Sequence, residues 1–209
     1  GHSGPTAVGW VGLSPKAAVR TEAACASAGA AVRYGMSMIM AGFYDIVIAG
    51  GFEKMTNLST AQATELIAGA DDFHFDQWSG LTFPGFFALA AVAHMYKYGT
   101  KEEDLARISV KSHKNGALNP KAHFQKTITL EEALSSRVVA WPLKLYDCCP
   151  VSDGSALLLL TKPEIAKKFT DTPIYVVGCA QATDDVSLYS RDSLTAIKAT
   201  RIATNTALR

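Results

Sequence analysis

Cysteine is scarce: four residues in 209, at positions 25, 148, 149 and 179. They are too few and too irregularly spaced for a disulfide scaffold, and no pair has zinc-site spacing. Free thiols point to a reducing compartment, most simply the cytoplasm. No apolar run approaches the roughly 20 residues that span a bilayer. No leader pattern opens the chain, and residues 1–5 read as a loop or an expression scar. Strong charge of either sign is missing as well. The formal net charge is +1, which gives no field that would favour nucleic acid or a membrane surface. Long repeats and low-complexity tracts are absent. What remains is ordinary globular material, 48% hydrophobic and 19% charged, long enough to bury a core.

Residues 18–22 alternate and include Val and Thr, so they read as a short strand. From about Cys25 the pattern changes to a small-residue helix, stopped near Gly42. Residues 44–51 read as a buried strand ending in glycines. Two apolar strands flanking a helix suggest a parallel unit in an α/β sheet. Residues 52–83 are mixed, with acids and aromatics crowded at 71–78. Pro84 opens a helix that Gly99 closes. Residues 100–103 resemble a capping box for the next helix, and Thr129 caps another. After a turn at 148–154 come a strand at 155–161, a helix from Pro163 to about Phe169 and a strand at 174–180. A helical pattern then fills 193–208. It carries no closing signal, so the chain is expected to be an internal piece of something longer. The order is sheet elements, a mostly helical insertion of roughly a hundred residues, then sheet elements again.

The stretch around Cys25, VRTEAACASAGAAVRYG, puts a lone thiol where strand gives way to helix. First-turn N–H groups and the positive end of the helix dipole favour thiolate over thiol, and the thiolate is the nucleophile. Ala23, Ala24, Ala26, Ser27, Ala28 and Gly29 permit close approach by a bulky substrate. Cys25 then reads as an acyl acceptor, a neighbouring N–H forming half of an oxyanion hole. The other reading is a buried structural cysteine in an Ala-rich helix, which the burial habit of free cysteine favours. No histidine lies near in sequence to act as base.

Other residues also carry two readings. Gly50-Gly51 either brings backbone close to a ligand or ends the strand, and the second is preferred. Phe83, Phe86 and Phe87 sit at helical spacing, which usually means core. Lys111, His113, Lys114 and Asn115 form a small basic patch, equally well a solvated helix face. His94 and His123 read as surface or satisfied interior groups. Cys148-Cys149 reads as a pair of structural thiols, since vicinal disulfides are strained. Asp153 is expected to order its turn.

Four segments together, RTEAACASAGAAVRYG, DIVIAGGFEKMTN, FPGFFALAAVAHMYKYGTKEEDLARISVKSHKNGALNP and LYDCCPVSDGSALLLL, resemble the thiolase superfamily. The likeness is strongest to its sterol-carrier-protein-like branch, which includes the archaeal-type acetoacetyl-CoA thiolases. It implies an α/β class: a thiolase-like layered α/β/α fold, incomplete here, with an inserted, mostly helical loop domain. Residues 1–55 would be the later part of the N-terminal half, 56–146 the loop domain, 147–182 the return to that half and 183–209 the start of the second. The activity implied is that of an acyl-CoA C-acyltransferase with Cys25 as nucleophile. The base and a second cysteine are expected beyond Arg209. Phe86 and Phe87 would meet the pantetheine arm and acyl group, and Cys149 would touch the pantetheine arm. Coenzyme A is implied as a substrate, with no metal and no redox cofactor. A homodimer or homotetramer is implied, with residues 18–22 as an interface strand. Some relatives assemble with hydroxymethylglutaryl-CoA synthase through a small OB-fold protein. The rival expectations are a related condensing enzyme, such as hydroxymethylglutaryl-CoA synthase, and a non-catalytic acyl-CoA-binding or scaffold subunit.

Overall fold

The computed structural model describes residues 2–209. The chain divides into two compact units: Gly1–Glu53 with Gly154–Ala182 and Ala199–Arg209, and Lys54–Asp153 with Thr183–Lys198.

The first unit is built on a two-stranded antiparallel ladder. Strand β1 (Ile46–Glu53) pairs with β4 (Gly154–Thr161), in register from Ile46 opposite Thr161 to Glu53 opposite Gly154. Helix α2 (Ser27–Met40) lies against it. Gly35 is the point of contact, since a Cβ there would stand 3.0 Å from both Leu160 and Val47 side chains. The helix ends where expected, with Gly42 at φ +79°. Helix α1 (Ser3–Trp10) precedes α2, so residues 3–5 are helical rather than loop. Short α7 (Pro163–Ala166) and α8 (Lys198–Ala207) complete this part of the chain.

Several expectations change here. The sheet is antiparallel, because β1 pairs with the strand that returns after the long excursion at 54–153. Residues 18–22 and 174–180 form no ladder with any described strand and so do not register as strands. The ladder strands are mostly exposed in this chain, Ile48 at 53% and Leu157 at 65%, although Ala49 of β1 is buried. The glycine pair does not end β1, which runs on to Glu53. Gly50 has φ +154°, and a Cβ on it would lie 2.1 Å from the Ala156 carbonyl oxygen. Only glycine permits that approach of the two backbones.

The second unit is mostly helical: α3 (Thr60–Ala68), α4 (Phe83–Tyr98), α5 (Glu102–Gly116) and α6 (Leu130–Ser135). Between α6 and β4 lie two short antiparallel strands, β2 (Val138–Ala140) and β3 (Leu143–Lys144). Thr82 caps α4 by accepting the Gly85 N–H at 3.3 Å, and Gly99 closes it at φ +71°. Thr129 and Glu132 cap α6 reciprocally, at 3.1 and 2.7 Å. The cap of α5 differs from expectation. Asp104 accepts the Lys101 N–H at 2.9 Å, while the Thr100 hydroxyl pairs with His94 Nδ1 at 2.8 Å. The core here gathers Ala106, Ile128 and Ala133, with Val110, Leu130, Leu134 and Tyr146 against them. Lys144 ties its edge together, reaching Glu102 at 2.7 Å and the Leu134 carbonyl at 2.6 Å. No helix is long and apolar enough to cross a membrane among the described residues.

Candidate active site

Cys25 sits in a 3-10 turn, Ala24–Ala26, that feeds directly into α2. Its thiol is free and exposed in this chain. The residue before it carries the strain. Ala24 has φ +45°, the only positive φ outside glycine among the described residues. An L-residue there gives up roughly 1–2 kcal/mol, and such conformations cluster where function requires them.

Side chains hold the turn in that shape. Ser27 Oγ accepts the Ala23 N–H at 2.9 Å and stands 2.7 Å from the Ala24 carbonyl and 3.1 Å from Glu22 Oε1. Glu22 Oε1 also accepts the Ala24 N–H at 2.9 Å, and Glu22 Oε2 meets Arg20 at 2.5 Å. The hydrogen bond from Arg20 is the main reason the Glu22 carboxyl lies below its ordinary range, with Ala24 and Ser27 next. The N–H of Ala26 donates to the Ala23 carbonyl and that of Ser27 to the Ala24 carbonyl. The N–H groups of Ala24, Ala26 and Ser27 are thus all engaged inside the turn. None of these three is free to serve as the oxyanion donor expected beside Cys25.

The remaining candidates lie in the second unit. Phe86 is buried and Phe87 half-exposed, their rings 5.2 Å apart edge to face. Phe83 lies 6.5 Å from Phe86 and 6.2 Å from Phe87. Cys149 is exposed, whereas its neighbour Cys148 is half-buried. Burial, then the Asp147 charge, pushes the Cys148 thiol up. His94, His113 and His123 each engage Nδ1 locally, with Thr100, the Lys126 carbonyl (3.0 Å) and Ser152 (2.6 Å).

Asp153, expected to order its own turn, instead binds the segment that follows β1. It accepts the N–H groups of Met55 (2.8 Å) and Thr56 (2.9 Å) and the Thr56 hydroxyl (2.6 Å), and it pairs with Lys54. Those donors, Lys54 first, hold its carboxyl well below the usual range. Sequence reasoning missed Lys54 and Thr56, just as it missed Glu22 and Ser27.

Residues 6–164 match the family model described as the thiolase N-terminal domain. The chain belongs to the thiolase family. It is 44% identical over 198 residues to an acetyl-CoA acetyltransferase of Methanothermobacter thermautotrophicus, covering 95% of this chain and 51% of that one. It is 41% identical over 200 residues to an acetyl-CoA acetyltransferase of Methanocaldococcus jannaschii, covering 95% and 50%. Among solved structures it resembles one titled Ltp2-ChsH2(DUF35) aldolase, with TM-score 0.75, 28% identity and coverage of 86% of this chain and 47% of that one. This thiolase chain therefore spans about half the length of the curated relatives it matches. The layered α/β class expected from the sequence stands on these matches together with the mixed helix-and-strand architecture.

Proposed function

We propose that the protein carrying this chain is an acyl-CoA C-acyltransferase and that Cys25 accepts the acyl group. In condensation the thiolate attacks the thioester carbonyl of acetyl-CoA, the carbon–sulfur bond breaks and CoA thiolate leaves. In thiolysis it attacks the 3-keto carbonyl, the C2–C3 bond breaks and the enolate of acetyl-CoA leaves to be protonated. In both cases an acyl-Cys25 thioester remains. The acyl group then passes to CoA (thiolysis of a 3-ketoacyl-CoA) or to the enolate of acetyl-CoA (Claisen condensation). The observation that carries this reading is the exposed Cys25 on a strained, side-chain-braced turn in a thiolase chain. The acetyltransferase names of the two archaeal relatives support it. The resemblance gives the base to a histidine of the family's second half. Coenzyme A is the substrate, with Phe86, Phe87 and Cys149 along its pantetheine arm.

The unit at Lys54–Asp153 corresponds, on this reading, to the family's inserted loop domain, which sequence reasoning set at 56–146. A cytoplasmic homodimer or homotetramer fits the same reading. So does assembly with hydroxymethylglutaryl-CoA synthase through a small OB-fold protein.

One finding favours a second reading. The solved relative is titled an aldolase with a DUF35 partner. A carbon–carbon lyase bound to a protein of that class would need no acyl-Cys intermediate. Acetoacetyl-CoA thiolysis by the complete natural polypeptide separates the two. Loss of thiolysis in a folded Cys25→Ala variant supports the transferase. Retained carbon–carbon cleavage in that variant supports the lyase.

A further inference from the structure

Residues 184–198 form a closed loop. Asp184 Oδ2 accepts the Lys198 N–H at 2.9 Å, so the two ends meet, the signature of an Ω-loop. Its tip is pinned to the helical unit. Buried Ser187 donates its hydroxyl to buried Asp76 at 2.5 Å, and the Leu188 N–H reaches the same carboxylate oxygen at 3.2 Å. The Tyr189 ring rests 4.5 Å from that of Phe75. Thr195 adds a further tie, 3.3 Å from Lys97 Nζ.

Arg191 is what this anchoring delivers. Its guanidinium carbon lies 5.6 Å from the centre of the Phe86 ring, and its Nη1 is 3.9 Å from Asp184. Arg191 Nε and Asp71 Oδ2 are both buried without a hydrogen-bond partner. A residue that merely filled space over Phe86 would be apolar, because burying an N–H without an acceptor is unfavourable. Burial and the Asp76 charge push the Asp71 carboxyl up, and the Arg191 charge opposes them. An arginine suits such a place: its plane stacks on an aromatic ring while its charge answers nearby carboxylates.

We infer that Arg191 is a positioning residue for acyl-CoA binding: the loop 184–198 carries its guanidinium onto Phe86 and so sets the pose of the Phe86–Phe87 pair. The binding part of this inference rests on the reading above, in which that pair lines the pantetheine arm.

The test uses the complete natural polypeptide with Arg191→Ala, Arg191→Met and Arg191→Lys. Two readouts are taken: hydrogen exchange at the amides of residues 83–90, and the acetoacetyl-CoA dependence of thiolysis. In Arg191→Ala, exchange at Phe86 and Phe87 is expected to quicken about tenfold, within what a partly desolvated cation–π contact supports. KM is expected to rise by about the same factor, with kcat held within about twofold. Arg191→Met keeps the packed volume. It should show the same split, which separates positioning from a general loss of stability. Arg191→Lys should recover part of the KM and little of the exchange protection. Unchanged exchange at Phe86 and Phe87 in both Ala and Met variants would overturn the inference. So would an unchanged KM in an enzyme whose turnover depends on Cys25. Absence of Cys25-dependent turnover in the wild type overturns the proposed function instead, and the exchange measurement still decides whether Arg191 positions Phe86.

Discussion

Asp153 and Thr56, 97 residues apart, are joined twice: one carboxylate oxygen accepts the Thr56 N–H at 2.9 Å, the other its hydroxyl at 2.6 Å. Lys54 and Met55 complete the set of donors. The segment between Lys54 and Asp153 is thereby closed at its base by a single carboxylate.

That closure has a pH signature. The folded-state pKa of Asp153 is depressed, so its stabilisation is fully present above the unfolded value, about 3.9, and is lost as pH falls through the folded value. Asp153→Asn is expected to lower the thermal unfolding midpoint by several degrees at pH 7. The gap between variant and wild type should narrow steadily as the pH is lowered from about 4. Calorimetry across that range checks it; a gap independent of pH would mean that the charge is not what matters. Because the site is solvent-accessible, high salt should reduce the effect.

Gly50→Ala tests the close approach of β1 and β4. A Cβ at position 50 meets the Ala156 carbonyl oxygen at 2.1 Å, whereas one at Gly51 meets nothing within 4 Å. Steric cost of roughly 1–3 kcal/mol is expected at Gly50, with a backbone term of similar size. Gly51→Ala should stay within about 0.5 kcal/mol of wild type. Denaturant unfolding of the two variants side by side gives the comparison.

The vicinal thiols should not behave alike. Cys148 is half-buried and its thiol is pushed up, while Cys149 is exposed. At pH 7.5 iodoacetamide is expected to label Cys149 several times faster than Cys148, with Cys148 catching up only at more alkaline pH. Mass spectrometry of the peptides spanning 144–162 follows both. Equal rates at neutral pH would contradict the burial seen here.

Much of this was legible in the chain, for local reasons. Pro84 and Gly99 announce α4, and Thr129 with Glu132 announces α6, because capping is chemistry within four residues. The same rule was available for α3 and went unread. Ser59 and Gln62 cap it reciprocally at 3.3 and 3.0 Å. The stretch 193–208 shows the limit of periodicity: only Lys198–Ala207 is helical, because 193–197 belong to the loop that Asp184 closes at Lys198. The parallel unit failed for a related reason. Strand identity is partly local, but pairing β1 with β4 is decided across a hundred-residue excursion. Cys25 was singled out by its small neighbours and the family pattern. The left-handed Ala24 was not, since alanine carries no preference for that conformation. Arg191 stayed hidden because Ser187 meets Asp76 across 111 residues.

The proposed chemistry stands or falls on Cys25. The most direct measurement is mass spectrometry of the complete natural polypeptide, quenched in acid during incubation with acetyl-CoA, beside a Cys25→Ala variant whose circular dichroism matches wild type. The expected result is an acetyl group on the peptide containing Cys25, chased off by free CoA and absent from the variant. Acetyl transfer to CoA that continues in the folded Cys25→Ala variant, or stable acetylation at another residue while Cys25 stays bare, would contradict it.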